Sequence, residues 1–124
     1  MERPSIRSYS LRGNRMTRAQ SAAINAHWDQ YAIPLVQPLN LNQIFPEKEK
    51  VILEIGSGMG EATAQIAQAT PDTGYLAVEM HEPGLAALLM LIVEKKLTNI
   101  KFIREDAIYL LFNFIPDSSL DGIH

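Results

Sequence analysis

Residues 51–60 read VILEIGSGMG, and this stretch decides the fold. VILEI is a short apolar run rich in β-branched residues, the pattern of a strand buried on both faces of a parallel sheet. Glycines at 56, 58 and 60 then turn the chain, and a helix is expected from near Gly60 through EATAQIAQAT, ending before Pro71. Strand, glycine turn and helix together open a βαβ unit.

The same alternation continues outward. Residues 74–79 (GYLAVE) form a second strand, Pro83 suits the first turn of a helix running on as LAALLMLIVEKKL, and Asn99 marks that helix's end. IKFIRE from Ile100 reads as a third strand, DAIYLLFNF as a helix, PDSS as a turn, and LDGI as the beginning of a fourth strand. Strands and helices in this order predict an α/β fold, a Rossmann-like doubly wound parallel sheet with right-handed crossovers and helices on both faces. Upstream, Thr17 and Gln20 form a capping box for TRAQSAAINAHWDQY, whose Ile24, Trp28 and Tyr31 share one face. In AIPLVQPLNLNQIFPEKEK the prolines at 34, 38 and 46 interrupt any regular element, so it reads as a connector whose Leu and Ile residues pack on the domain behind it. Two parts result: 1–46, an arm, helix and connector, and 47–124, the sheet domain.

A chain of 124 residues, 47% hydrophobic and 20% charged, supports one modest core. It has no cysteine, which excludes disulfides, thiolate metal sites and a cysteine nucleophile. MERPSIRSYS lacks the apolar core of a secretory signal, and the apolar run at 85–93 is far shorter than the roughly 20 residues a bilayer crossing needs. A soluble, cytoplasmic protein without a membrane partner is expected. The net charge of -3 is unevenly spread: Arg3, Arg7, Arg12, Arg15 and Arg18 cluster near the N-terminus, where Glu2 is the only acid before Asp29. Such an arm suits a polyanion, and a solvated terminus is the plain alternative.

In an open α/β sheet the ligand lies beyond the carboxyl ends of the strands, where the glycine turn sits. The dinucleotide pattern G-x-G-x-x-G would need glycine at 61, where the chain has Glu61. A glutamate in that first helical turn, with Glu54 just before the loop, opposes a diphosphate. A cationic sulfonium cofactor reverses that sign. The stretch 54–60, EIGSGMG, resembles the acidic-x-Gly-x-Gly-x-Gly first motif of the class I, Rossmann-like methyltransferases. The resemblance implies S-adenosyl-L-methionine as cofactor, with the loop of Gly56, Ser57 and Gly58 approaching its methionine moiety and Glu54 supporting its amino group.

Glu79, 25 residues after Glu54, is placed to accept hydrogen bonds from both ribose hydroxyls, a device that NAD sites share. Asp106, in REDA, falls where these methyltransferases contact the exocyclic amine of adenine, and it also suits the N-cap of the next helix. Met80 and Ala107 beside these two complete the candidate cofactor-binding set. No metal site is expected, because His81 and Glu82 are followed by Gly84 and Leu85 rather than the second histidine of a zinc motif. His81 reads as a pocket-rim or surface residue, Trp28 as a packing anchor.

RGNRMTRAQSAAI, LEIGSGMGE, VEMHEPG, LTNIKFIREDA and IPDSSLDGI resemble, in order and spacing, stretches of the tRNA (guanine-N7-)-methyltransferase (TrmB) family. This resemblance runs from about Arg7 to His124 and implies methyl transfer to N7 of a guanosine in the tRNA variable loop, with tRNA as partner. Arg7, Arg12, Arg15 and Arg18 become phosphate-contacting or cofactor-gating candidates. The family's Phe-Pro-Asp-Pro-Trp motif does not occur before the chain ends at LDGIH. The expectation is therefore an incomplete sheet domain, its C-terminal half missing, inactive by itself and with no residue that can be named catalytic. The alternatives are a class I methyltransferase acting on a small molecule or protein, or a non-catalytic RNA-binding module. The oligomeric state has no signature in the sequence.

Overall fold

The computed structural model describes residues 16–56 and 58–124. Helix α1 (Arg18–Tyr31) begins at the expected capping box: Thr17 Oγ1 accepts the Gln20 amide and Gln20 Oε1 accepts the Thr17 amide, each at 3.0 Å. Ile24, Trp28 and Tyr31 lay one face of α1 on the core, and the Trp28 ring stands edge-on to Phe102 at 4.9 Å. The connector is more ordered than its prolines predict. A four-residue helix α2 (Leu41–Ile44) forms because Asn40 Oδ1 accepts the Gln43 amide at 3.1 Å, and both Pro38 and Pro46 fall outside that turn.

The remaining elements are β1 (Lys50–Ile55), α3 (Glu61–Ala69), β2 (Thr73–Val78), α4 (Glu82–Lys95), β3 (Ile100–Ile103), α5 (Ala107–Asn113) and β4 (Gly122–Ile123). They build a four-stranded parallel sheet in the order β3-β2-β1-β4. The direction of winding reverses between β1 and β4, so the expected switch point lies beside the glycine turn.

Side-chain alternation divides the core in two. Tyr75, Ala77, Ile100 and Phe102 face α1, α3 and α4, meeting Ala64, Ala67, Leu85, Leu88, Leu89 and Ile92. Val51, Leu53, Leu76, Val78 and Ile103 face the other way, onto Leu39, Leu41 and Phe45 of the connector and Leu110 of α5. Strand β1 is not buried throughout, as its apolar run suggested: Ile55 is exposed, because it already borders the open loop end of the sheet.

Asn99 also departs from expectation. Helix α4 ends at Lys95, where Lys96 takes the left-handed cap conformation with φ 54°. Asn99 is buried three residues further on, and its Nδ2 donates to the carbonyls of Ala67, Thr70 and Thr73 at 3.0, 3.1 and 2.9 Å. It ties the end of α3 and the start of β2 to β3. Among the described residues no helix is long and apolar enough to cross a membrane, and no group of three or more His, Cys, Asp or Glu could hold a metal ion.

Candidate functional site

The carboxyl ends of β1, β2 and β3 carry Glu54, Glu79 and Asp106 on or just beyond the strands. Parallel pairing brings these ends together: Glu54 registers with Ala77, and the Glu79 amide donates to the Ile103 carbonyl at 3.1 Å. The glycine turn leaves β1 in the left-handed region, with φ of 62° at Gly56, 61° at Gly58 and 82° at Gly60, conformations that L side chains adopt only under strain. Its glycines divide by surroundings. Gly56 and Gly58 are exposed; a Cβ on Gly58 would meet nothing within 4 Å, and one on Gly56 would meet only Glu79 Oε2 at 3.9 Å. Gly60 is buried, and a Cβ there would lie 2.7 Å from the Cβ of Leu88. The first two therefore leave a bare backbone open to a ligand, and the third allows the loop to seat on α4.

Each acid is held differently. Glu54 lies in the sheet with its side chain 11% exposed, and its Oε1 is 2.9 Å from His124 Nδ1. Glu79 is half-buried beside Gly56. Asp106 is the N-cap of α5, with Oδ1 accepting the Tyr109 amide at 2.9 Å, while its own amide donates to Glu105 Oε2 at 2.8 Å. The capping reading of Asp106 is thus realised, and it fixes where the carboxylate stands. Met80 follows Glu79 in the three-residue loop before α4, and Ala107 is the first residue of α5, packed on the core. An acidic rim around an exposed, left-handed glycine backbone favours a cationic ligand over a polyphosphate; Glu61, exposed at the first position of α3, adds to it.

Of the expected site residues, the structure gathers Glu54, Gly56, Gly58, Glu79, Met80, Asp106 and Ala107 along one end of the sheet. Ser57 and the arginines Arg7, Arg12 and Arg15 lie outside the described residues. Arg18 is exposed in the first turn of α1. His81 is half-buried in the loop that carries Glu79 and has a further task, as the N-cap of α4, its Nδ1 accepting the Gly84 amide at 3.1 Å. Two further neighbours of the site were not singled out in the sequence. His124 stands beside Glu54 because β4 pairs in parallel with β1, Ile52 with Gly122 and Leu53 with Ile123. Arg104 reaches from the end of β3 to the loop after β2, with Nε 3.2 Å from the Met80 carbonyl and Nη1 3.0 Å from Glu82 Oε2.

A parallel α/β sheet wound β3-β2-β1-β4, with a glycine turn after β1 and acids at successive strand ends, is the Rossmann-like fold of class I methyltransferases. Solved structures share it: phosphoethanolamine N-methyltransferase 2 of Haemonchus contortus in complex with S-adenosyl-L-methionine superposes with a TM-score of 0.55, at 17% identity, covering 98% of this chain and 28% of that one. An antibiotic-related methyltransferase gives a TM-score of 0.52 at 22% identity, over 58% of this chain and 38% of that one. Residues 48–124 match the family model described as "Putative methyltransferase", and the chain belongs to that family. Among curated relatives, the tRNA (guanine-N(7)-)-methyltransferase of Neisseria meningitidis is 47% identical over 97% of this chain and 51% of its own length. The protein of the same name from Chromobacterium violaceum is 43% identical over 100% of this chain and 57% of its own. The chain thus spans about half the length of the curated relatives it matches.

Proposed function

We propose that the protein is an S-adenosyl-L-methionine-dependent tRNA (guanine-N7-)-methyltransferase in which this chain supplies the cofactor site. The observation that carries the reading is the joint one: Glu54, Glu79 and Asp106 at three neighbouring strand ends around an open left-handed glycine turn. The chain that bears them is 47% identical, over nearly its whole length, to a relative of that name.

The residues present fit that cofactor. Glu54 faces its α-ammonium group, the exposed backbone at Gly56 and Gly58 admits the methionine moiety, Glu79 accepts from the ribose hydroxyls, and Asp106 and Ala107 border the adenine. When bound, the cofactor supplies an electrophilic methyl group: the guanine N7 lone pair forms the new N–C bond as the C–S bond breaks, the electron pair stays on sulfur, and no proton moves. A general base is therefore not required, and what the protein contributes is alignment and electrostatics. No residue of this chain is assigned as catalytic.

In this reading the basic arm of residues 1–46 contacts tRNA phosphates through Arg7, Arg12, Arg15 and Arg18, while its helix and connector pack on residues 47–124, the cofactor domain, working in the cytoplasm. Incubating the chain, and a longer form extended with the C-terminal half of a curated relative, with bulk tRNA and labelled cofactor, then cleaving at N7-methylguanosine, tests the activity. Labelled guanosine in the variable loop is expected with the longer form; labelled tRNA without N7-methylguanosine would overturn it.

A further inference from the structure

We propose that Arg104 is a positioning residue for the cofactor's ribose, clamping the loop that carries Glu79 to the end of β3. The proposal rests on the cofactor reading above and adds to it a residue that touches no part of the cofactor.

The loop between β2 and α4 is only Glu79, Met80 and His81, and β3 holds it at consecutive points. The Ile103 carbonyl accepts the Glu79 amide at 3.1 Å, and one residue on, Arg104 Nε donates to the Met80 carbonyl at 3.2 Å. Arg104 Nη1 reaches Glu82 Oε2 at 3.0 Å, at the first position of α4, with the two side chains 19% and 25% exposed. His81 caps the same helix from within the loop. Backbone on both sides of Glu79 is thereby fixed, and its carboxylate comes to rest beside Gly56.

The guanidinium is held at a cost, since Nη2 is buried without a partner. What a planar fork provides is a fixed distance between a carbonyl and a carboxylate on successive elements, which lysine's single ammonium cannot reproduce. Met80 directly follows Glu79 and Glu82 opens the next helix, so tying the two to one guanidinium fixes the path of the chain as it leaves Glu79.

The test compares two ligands, S-adenosylhomocysteine and its 2′-deoxy analogue, by calorimetry with the full chain. The ratio of the two affinities reads the ribose contact and cancels any general loss of folded protein. Wild type is expected to prefer the ribose ligand by about tenfold or more, the size of a hydrogen bond to a charged acceptor, and Glu79→Ala to bring the ratio close to one. Arg104→Gln is expected to bring it close to one as well, and Arg104→Lys to leave it in between. If Glu79→Ala abolishes the preference while Arg104→Gln lowers both affinities equally and keeps the ratio, the positioning role is overturned and the cofactor reading stands. A full ratio in Arg104→Lys would also overturn the clamp, because charge alone would then suffice. A wild-type ratio of one would remove the ribose contact, and with it the roles given to Glu79 and Arg104.

Discussion

The two flanks of β1 are built unlike each other. On one side β2 runs beside it for six residue pairs, from Lys50 with Thr73 to Ile55 with Val78, and β3 continues the sheet. That flank is covered on both faces, by Leu88, Leu89 and Ile92 of α4 and by Phe45 and Leu110. On the other side β4 pairs through two residues, and Ile123 is 52% exposed. The difference falls across the proposed site. Glu79 and Asp106, the adenosine end, stand on the packed flank, whereas Glu54, the methionine end, looks toward β4 and His124. Local stability follows buried contacts, so the adenosine end is expected to be preformed and the methionine end to be the one that ligand or added chain can still organise.

One apolar side chain from each flank measures the contrast most directly. Phe102 is fully buried in β3 against Trp28, and Phe102→Ala is expected to cost about 3–5 kcal/mol, lowering the unfolding midpoint by roughly 3–5 °C for each kcal/mol. Ile123→Ala, on the β4 flank, should cost no more than about 1 kcal/mol. Comparable losses in thermal melts of the two variants would erase the distinction between flanks. Smaller, at about 2 kcal/mol, is the effect expected of Asn99→Ala, which removes a buried amide serving the carbonyls of Ala67, Thr70 and Thr73. Its denaturant midpoint should fall while S-adenosylhomocysteine binding persists, since none of the three carbonyls borders the glycine turn.

What the sequence disclosed about these flanks depends on how local the signal is. The strands, α1 and the glycine turn come from period, capping and backbone preference within a few residues, and they appear within one or two residues of their expected limits. Asp106 was legible twice over, because an N-cap and a strand-end acid are both short-range patterns. Asn99 was misread as a helix terminator because asparagine in sequence signals a turn, while its partners lie 26 to 32 residues away. Arg104 and His124 escaped for the same reason: their contacts span 22 to 24 residues and 70 residues, and depend on which strands become neighbours. His81 acts as a cap, a task usually left to Ser, Thr, Asp or Asn, so no composition rule points to it. The acids of the site were visible as residues; the groups that hold them were not.

A local effect tests the weaker flank. Asp121 is fastened to β1 twice, its Oδ2 accepting the Val51 amide at 2.7 Å and its own amide donating to the Val51 carbonyl at 2.9 Å. Asp121→Ala removes the first bond and leaves the second, at about 1 kcal/mol. Because β4 is only two residues long, this loss should appear as local opening rather than global unfolding. The Ile55 amide, which donates to the His124 carbonyl, and the His124 amide, which donates to Leu53, should exchange hydrogen about fivefold faster. The Tyr75 and Glu79 amides, bonded to Asn99 and Ile103 on the packed flank, should keep their rates. If they accelerate equally, the two flanks open as one unit, and the methionine end of the site is no more adaptable than the adenosine end.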